Sequence, residues 1–299
     1  MTLDDQLGLE GPMRKVTITG AHGKAGRAAV AEFLAAGYEV LACDIAGPVG
    51  RNSDLGCPTM RVDLSDYGQC VQALDGADAV VHLANIPEPG MYPPAQTINA
   101  NTAMNQNVFL AAAALRIPRV VWASSETTLG LPFGEPGGTL EYLPVDEGHY
   151  PHPASSYALS KVLGEAAAEQ VARWSDTSFV GLRITNIFSE ADYAKVPTFW
   201  AEPSSRGWNA FGYVDARDVA LACRNAVEAQ TKGSINLIIA AADSLMDRPS
   251  AELAKEVFPE VPVRGSIEGH QSLLSIDAAR EAIGYQPQHS WRDSVSAGA

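Results

Sequence analysis

The sequence predicts an α/β fold built on a doubly wound parallel sheet. Three observations point there: short apolar segments alternate with helical ones, those apolar segments are nearly continuous, and a glycine-rich turn joins the first strand to the first helix. Strands separated by helices pair in parallel, and uninterrupted apolar strands belong to a sheet covered on both faces.

In order, Lys15-Val16-Thr17-Ile18-Thr19 reads as the first strand and Arg27 to Ala36 as an amphipathic helix, with Gly37 where a helix-ending glycine belongs. Further strands are expected at Tyr38 to Cys43, Met60 to Leu64, Ala79 to Leu83, Arg119 to Ala123 and Ser178 to Arg183. Helices are expected at about 66–75, 95–115 and 155–174, then a helix at about 216–229 and a strand at Ser234 to Ile239. The stretch from Phe188 to Gly212, with two prolines and two tryptophans, reads as irregular and substrate-facing. Residues 1–12 are expected to form a loose extension, and 13–299 one domain with substrate-side segments at about 188–212 and 240–299.

Composition narrows the function classes. The chain has 299 residues, 46% hydrophobic and 19% charged, as expected of a folded domain. No apolar run approaches the roughly 20 residues that cross a bilayer, and the acidic start lacks the features of a secretion signal. A net charge of -14 disfavours nucleic acid, whose phosphates need clustered Lys and Arg. The four cysteines, Cys43, Cys57, Cys70 and Cys223, are scattered, so free thiols in a cytoplasmic protein are expected and a metal site is not.

Chemistry concentrates at the ends of the strands. In Thr19-Gly20-Ala21-His22-Gly23-Lys24-Ala25-Gly26, Gly20 permits a tight turn, Gly23 admits a pyrophosphate and Gly26 lets helix and strand pack closely. The helix N-terminus then offers unpaired amides to the phosphates. Asp44, ending the second strand, suits the ribose hydroxyls of a dinucleotide and repels a 2′-phosphate; no Arg or Lys directly follows it, so NAD is expected rather than NADP. In Arg61-Val62-Asp63-Leu64, Asp63 reads either as a contact for the adenine amino group or as a plain turn residue.

A second constellation opens a later helix. Tyr157 and Lys161, four residues apart, share a helix face. A phenol with pKa about 10 is a poor base unless a neighbouring ammonium favours the phenolate. Ser124 and Ser125 end the fifth strand at the same sheet edge, where Ser125 can hold a reacting hydroxyl against Tyr157.

The glycine turn, the Ser-Ser strand end and the Tyr157–Lys161 helix together resemble the extended short-chain dehydrogenase/reductases, which include the NAD-dependent epimerases and dehydratases of nucleotide sugars. His82-Leu83-Ala84, Asn101 ahead of Asn107-Val108, Arg183 with Asn186, and the tail from Ser275 to Pro287 extend the likeness over about 14–292. It implies a Rossmann fold with a small C-terminal substrate-side lobe, cofactor contacts from Leu83, Ala84 and Asn85 besides the turn, and a proton relay in which Asn101 joins Ser125, Tyr157 and Lys161. It also implies a homodimer paired through the helices at 95–115 and 155–174.

Within that family, Phe211 in Phe211-Gly212-Tyr213-Val214-Asp215 stands where nucleotide-sugar epimerases carry a diphosphate-clamping Arg. Ser124 to Gly130 and Lys195 to Trp200 are more similar to segments of the uronate dehydrogenases, with Glu126 in place of a neutral Asn and Lys195 in place of an Arg. The reading is an NAD-dependent dehydrogenase of a small sugar or sugar acid. Glu126, Lys195 and Asn186 are its candidate substrate contacts, with Lys195 meeting a carboxylate or, on the alternative, lying solvated in a loop. The rivals are a nucleotide-sugar epimerase and a cofactor-binding sensor without turnover.

Overall fold

The structure, a computed structural model, describes residues 15–51, 53–131, 140–149 and 151–295, so the expected extension at 1–12 lies outside the described residues. The chain runs β1 (Lys15–Thr19), α1 (Lys24–Ala35), β2 (Glu39–Asp44), β3 (Thr59–Arg61), α2 (Tyr67–Leu74), β4 (Ala79–His82), α3 (Pro94–Ala114), β5 (Arg119–Ser125), α4 (Ser156–Trp174) and β6 (Ser178–Ile184). Then follow β7 (Ile187–Phe188), β8 (Val214–Asp215), α5 (Ala216–Glu228), β9 (Ser234–Ile239), α6 (Ser250–Val257), α7 (Asp277–Ile283) and α8 (Trp291–Val295).

Seven strands form one parallel sheet in the order β3-β2-β1-β4-β5-β6-β9. The chain winds outward from β1 to β3 and then returns to β4 and proceeds the other way. The switch between β1 and β4 therefore opens a crevice beyond their carboxyl ends, where open sheets of this type bind ligands.

Neighbouring strand residues point to opposite faces. Val81 and Val121 join one core with Val30 and Phe33 of α1 and Val219 and Cys223 of α5. Val80, Val120, Trp122 and Phe179 join the other, with Phe109 of α3 and Val171 of α4. Phe109 meets the rings of Trp122 and Phe179 edge-on. Both faces are filled, which explains why these strands carry no polar alternation.

Several boundaries move. Helix α1 begins at Lys24, three residues before the expected start, because Gly23 caps it directly on the turn. Strand β3 stops at Arg61, although Val62 and Leu64 beyond it are buried in the second core. Strand β5 continues to Ser125 and delivers both hydroxyls to the sheet edge.

The loosely patterned stretch contains two 3₁₀ helices, Glu190–Phe199 and Pro203–Asn209, and is flanked by the short β7–β8 pair. It packs with the tail: Phe188, Tyr193, Val196 and Tyr213 form an apolar cluster with Ala241, Leu245 and Trp291. Asp218 fastens the tail from α5 by accepting the Gln288 and His289 amides at 2.9 and 3.0 Å.

Candidate active site

A cleft of about 930 Å³ lies at the carboxyl edge of β1, β4 and β5 and is bordered by Gly20, His22–Gly26, Asp44, Asp63, Leu64, Leu83–Asn85, Ser125, Glu126, Tyr157, Lys161 and Asn186. Its volume is within the ~300–1,000 Å³ usual for cofactor and substrate sites.

At one end the first turn is closed by Gly23 N–H donating to the Gly20 carbonyl at 3.0 Å. Gly20 has φ +69°, and a Cβ there would come within 2.6 Å of the Ala84 nitrogen. A Cβ on Gly26 would run into the Gly20 carbonyl, so helix and strand can meet this closely only with glycine at both. Gly23 caps α1 without a side-chain hydrogen bond, leaving the first-turn amides to an external acceptor.

Asp44 accepts the His22 amide through Oδ2 at 2.9 Å and the Ala46 amide through Oδ1 at 3.2 Å. A carboxylate has about four acceptor positions, so two stay open to a ribose diol. The His22 ring meets the Pro48 carbonyl at 3.0 Å and fills the space that a Cβ on Gly47 would need. Asp63 accepts the Ser65 amide and hydroxyl at 2.9 and 2.7 Å, which builds a turn on the cleft rim beside Leu64. Among the described residues the buried Oδ1 of Asn85 has no hydrogen-bond partner. An uncapped helix start, an acidic strand end and an unpartnered amide oxygen on one cleft fit a dinucleotide. Lys24 turns away from that seat: its ammonium bonds the Ile187 carbonyl at 3.0 Å and Asp192 at 2.7 Å.

At the other end β5 and the start of α4 bring Ser125, Tyr157 and Lys161 together. Ser155 caps α4 by accepting the Ala158 amide at 3.0 Å, which fixes where the Tyr157–Lys161 turn begins. Lys161 Nζ donates to the Ala123 carbonyl at 2.7 Å and lies 5.3 Å from the Tyr157 ring centre. Burial pushes the Tyr157 phenol up to about 12; a Ser125 hydrogen bond works against this, and Glu126 and Glu88 add to it. Burial brings the Lys161 ammonium down to about 7 against the opposing charge of Glu165. In the protein by itself, desolvation therefore outweighs the phenol-activating ammonium expected from the spacing.

Glu165 is a supporting residue that sequence reasoning missed, although its place four residues after Lys161 was a usable signal. Its carboxylate accepts the Ser124 hydroxyl at 2.6 Å and grips Arg183 at 2.9 and 2.8 Å. Asn101 is buried and fully engaged: it accepts the Ile86 amide at 2.8 Å and donates to the Ile86 carbonyl and the Ser160 hydroxyl. Ser160 in turn donates to the Tyr157 carbonyl at 2.7 Å, so the observed bonds of Asn101 reach the Tyr157 turn through its backbone. Buried His82 sits between Thr19 and Asn105, and desolvation lowers its pKa to about 3, so it is a neutral structural link.

The three substrate candidates separate. Glu126 follows Ser125 directly, borders the cleft and is 2% exposed. Burial raises its pKa to about 8 against the charge of Arg206 and hydrogen bonds from Asn209 and the Asn186 backbone. Asn186 also borders the cleft, with Oδ1 accepting Arg206 Nη2 at 3.2 Å. Lys195 is a loop cation, 68% exposed and paired with Asp192 at 2.9 Å, as on the solvated alternative, and is not among the residues that border the cleft. The basic side chain behind Glu126 is Arg206, buried and enclosed by the rings of Phe199 and Trp208. Its position in an unpatterned stretch gave no signal. Phe211 does not face the cleft either; it is buried in the first core against Phe258, at φ +60°.

The NAD dependent epimerase/dehydratase family model matches residues 16–239. The chain is 30% identical to an L-arabinose 1-dehydrogenase (NAD(P)(+)) of Haloferax volcanii over 236 residues, 76% of this chain and 89% of that one. The UDP-N-acetylglucosamine 4-epimerase of Bacillus cereus superposes with a TM-score of 0.68 at 20% identity, covering 95% of this chain and 97% of that one. A mutated uronate dehydrogenase does so with a TM-score of 0.67 at 20% identity, covering 96% and 87%. At such identities the two superpositions speak to the fold, while the family match spans both ends of the cleft. The chain belongs to the NAD-dependent epimerase/dehydratase family and is an NAD-dependent enzyme of the extended short-chain dehydrogenase/reductase type.

Proposed function

We propose that the protein is an NAD-dependent dehydrogenase of a small sugar or sugar acid. The observation that carries this reading is the placement of Ser125, Tyr157 and Lys161 on one cleft with the glycine turn and Asp44. The first-turn amides of α1 would hold the pyrophosphate and Asp44 the adenosine ribose, with Leu83, Ala84 and Asn85 along the wall. When bound, the nicotinamide supplies a two-electron acceptor for one hydride and a positive charge.

Ser125 orients the substrate hydroxyl towards Tyr157. The Tyr157 oxygen takes the hydroxyl proton as the C–H bond breaks, and the carbon becomes a carbonyl. Lys161, anchored on the Ala123 carbonyl, opposes the desolvation that otherwise keeps the phenol protonated. Asn101 positions this turn through Ile86 and Ser160. The segments at 188–212 and 240–299 serve as the substrate-side lobe of the same domain.

Leu110 on α3 and Leu159 and Leu163 on α4 are exposed apolar side chains, which supports a homodimer through these two helices. No described helix is long and apolar enough to cross a membrane. The four cysteines are buried and unpaired, which supports a cytoplasmic setting. The test is net formation of NADH when NAD and free sugars are added. Interconversion of a UDP-sugar without net NADH would instead make the protein an epimerase.

A further inference from the structure

Glu126 occupies an unusual position for a carboxylate. It directly follows the strand-end Ser125, begins the 3₁₀ helix Glu126–Leu129, and among the described residues its buried Oε2 has no hydrogen-bond partner. Asn209 and the Asn186 backbone reach this carboxylate from the protein side, and a ligand hydroxyl is a natural partner for the oxygen they leave open.

The charges around it leave little room for an anion. Among the described residues bordering the cleft, the Lys and Arg side chains are Lys24 and Lys161. Lys24 is paired with Asp192, and Lys161 is bound to the Ala123 carbonyl beside Tyr157. Arg206 lies behind Glu126, where Nη2 serves Asn186 Oδ1 and the Gly212 carbonyl and its guanidinium is enclosed by two aromatic rings. Lys195 is on the surface. The remaining polar lining includes Gln96, Thr185 and Asn186, groups that bind hydroxyls, together with Glu88.

We infer that Glu126 is the specificity-determining residue of this site, accepting a hydroxyl of an uncharged aldose and turning away sugar acids and nucleotide sugars. The inference rests on the dehydrogenase reading and narrows it. A carboxylate or diphosphate entering here would be desolvated next to Glu126 with no free Lys or Arg among the described residues that border the cleft to meet it. Burial puts the Glu126 carboxyl near 8, so alkaline conditions give it its full charge; the charged or titratable groups acting on it are Arg206 and Tyr157.

The experiment compares kcat/KM at pH 9 for a neutral hexose, its C6 uronic acid and its UDP derivative. It uses the unaltered protein, Glu126→Gln, Glu126→Asn and, as a surface control, Lys195→Ala. The unaltered protein is expected to favour the neutral sugar over the acid by at least roughly tenfold, the worth of a missing charge-assisted contact. Either Glu126 variant should narrow that ratio by raising turnover of the acid, and Lys195→Ala should leave it unchanged. Equal use of neutral and acidic sugars by the unaltered protein, or an unchanged ratio in both Glu126 variants, overturns the inference and leaves the dehydrogenase reading standing. NADH from none of the sugars tested overturns both.

Discussion

Glu165 holds Arg183 through both carboxylate oxygens, at 2.9 and 2.8 Å, in a buried ion pair that also accepts the hydroxyl of Ser124. Side-chain exposures of 8% and 6% leave water no access to replace either partner. Removing one partner strands the other charge in the interior. Glu165→Ala should therefore lower unfolding free energy by about 3–5 kcal/mol, read from urea midpoints. A loss below about 1 kcal/mol would show that the pair relaxes to solvent.

Tyr157→Phe removes the proposed proton acceptor and leaves the ring. Turnover should fall by about a hundredfold or more while cofactor binding is retained. Titrating NAD against the variant by fluorescence, beside steady-state kcat, separates the two. Retention of more than about a tenth of kcat would remove Tyr157 from the mechanism.

Asp44 should set the choice of cofactor. The unaltered protein is expected to show higher kcat/KM with NAD than with NADP, because a 2′-phosphate would face the carboxylate. In Asp44→Ala the NAD advantage should shrink, as two open acceptor positions for the ribose hydroxyls are lost. A native preference for NADP would refute the assignment.

His82 makes a prediction about pH. Burial holds its folded-state pKa near 3 against the usual 6.5, so below 6.5 the unfolded chain binds a proton that the folded protein refuses. The stabilisation from neutral His82 is complete above 6.5 and is lost as pH falls towards 3. Between pH 7 and pH 5 this amounts to about 2 kcal/mol. His82→Gln should flatten that part of the stability–pH curve, and an unchanged slope would assign the effect to other groups.

Arg116 offers a gain. It follows the end of α3 with φ +57°, its amide bonding the Ala113 carbonyl and the next amide the Ala112 carbonyl. This is the left-handed position glycine favours after a helix, and the Arg116 side chain is exposed. Arg116→Gly is expected to raise stability by about 1 kcal/mol, seen as a melting-temperature rise of about 2–4 °C.

The sheet and both ends of the cleft were legible because their physics is local. A glycine turn, an acid at a strand end and a Tyr–Lys pair on one helix face each need neighbours only a few residues away. Arg206 was not legible, since its placement depends on two 3₁₀ helices folding against the tail and on Phe199 and Trp208 closing around it. Which of its two alternatives Lys195 takes was hidden for the same reason. Its neighbour in space is Asp192, and whether that pair faces the cleft or solvent depends on packing with no periodic trace in the chain. The depth of Glu126 was hidden too, because a charged residue after a strand normally reads as exposed.

Lys24 binds Asp192 and the Ile187 carbonyl, so the phosphate seat above α1 is left to main-chain amides. Main-chain donors survive most amino-acid replacements. His22, Lys24 and Ala25 can therefore drift under mutation with little loss of cofactor affinity, whereas Gly20 and Gly26, where any side chain collides with backbone, tolerate no exchange. The robustness of this enzyme to random substitution should thus differ sharply between adjacent positions of a single turn.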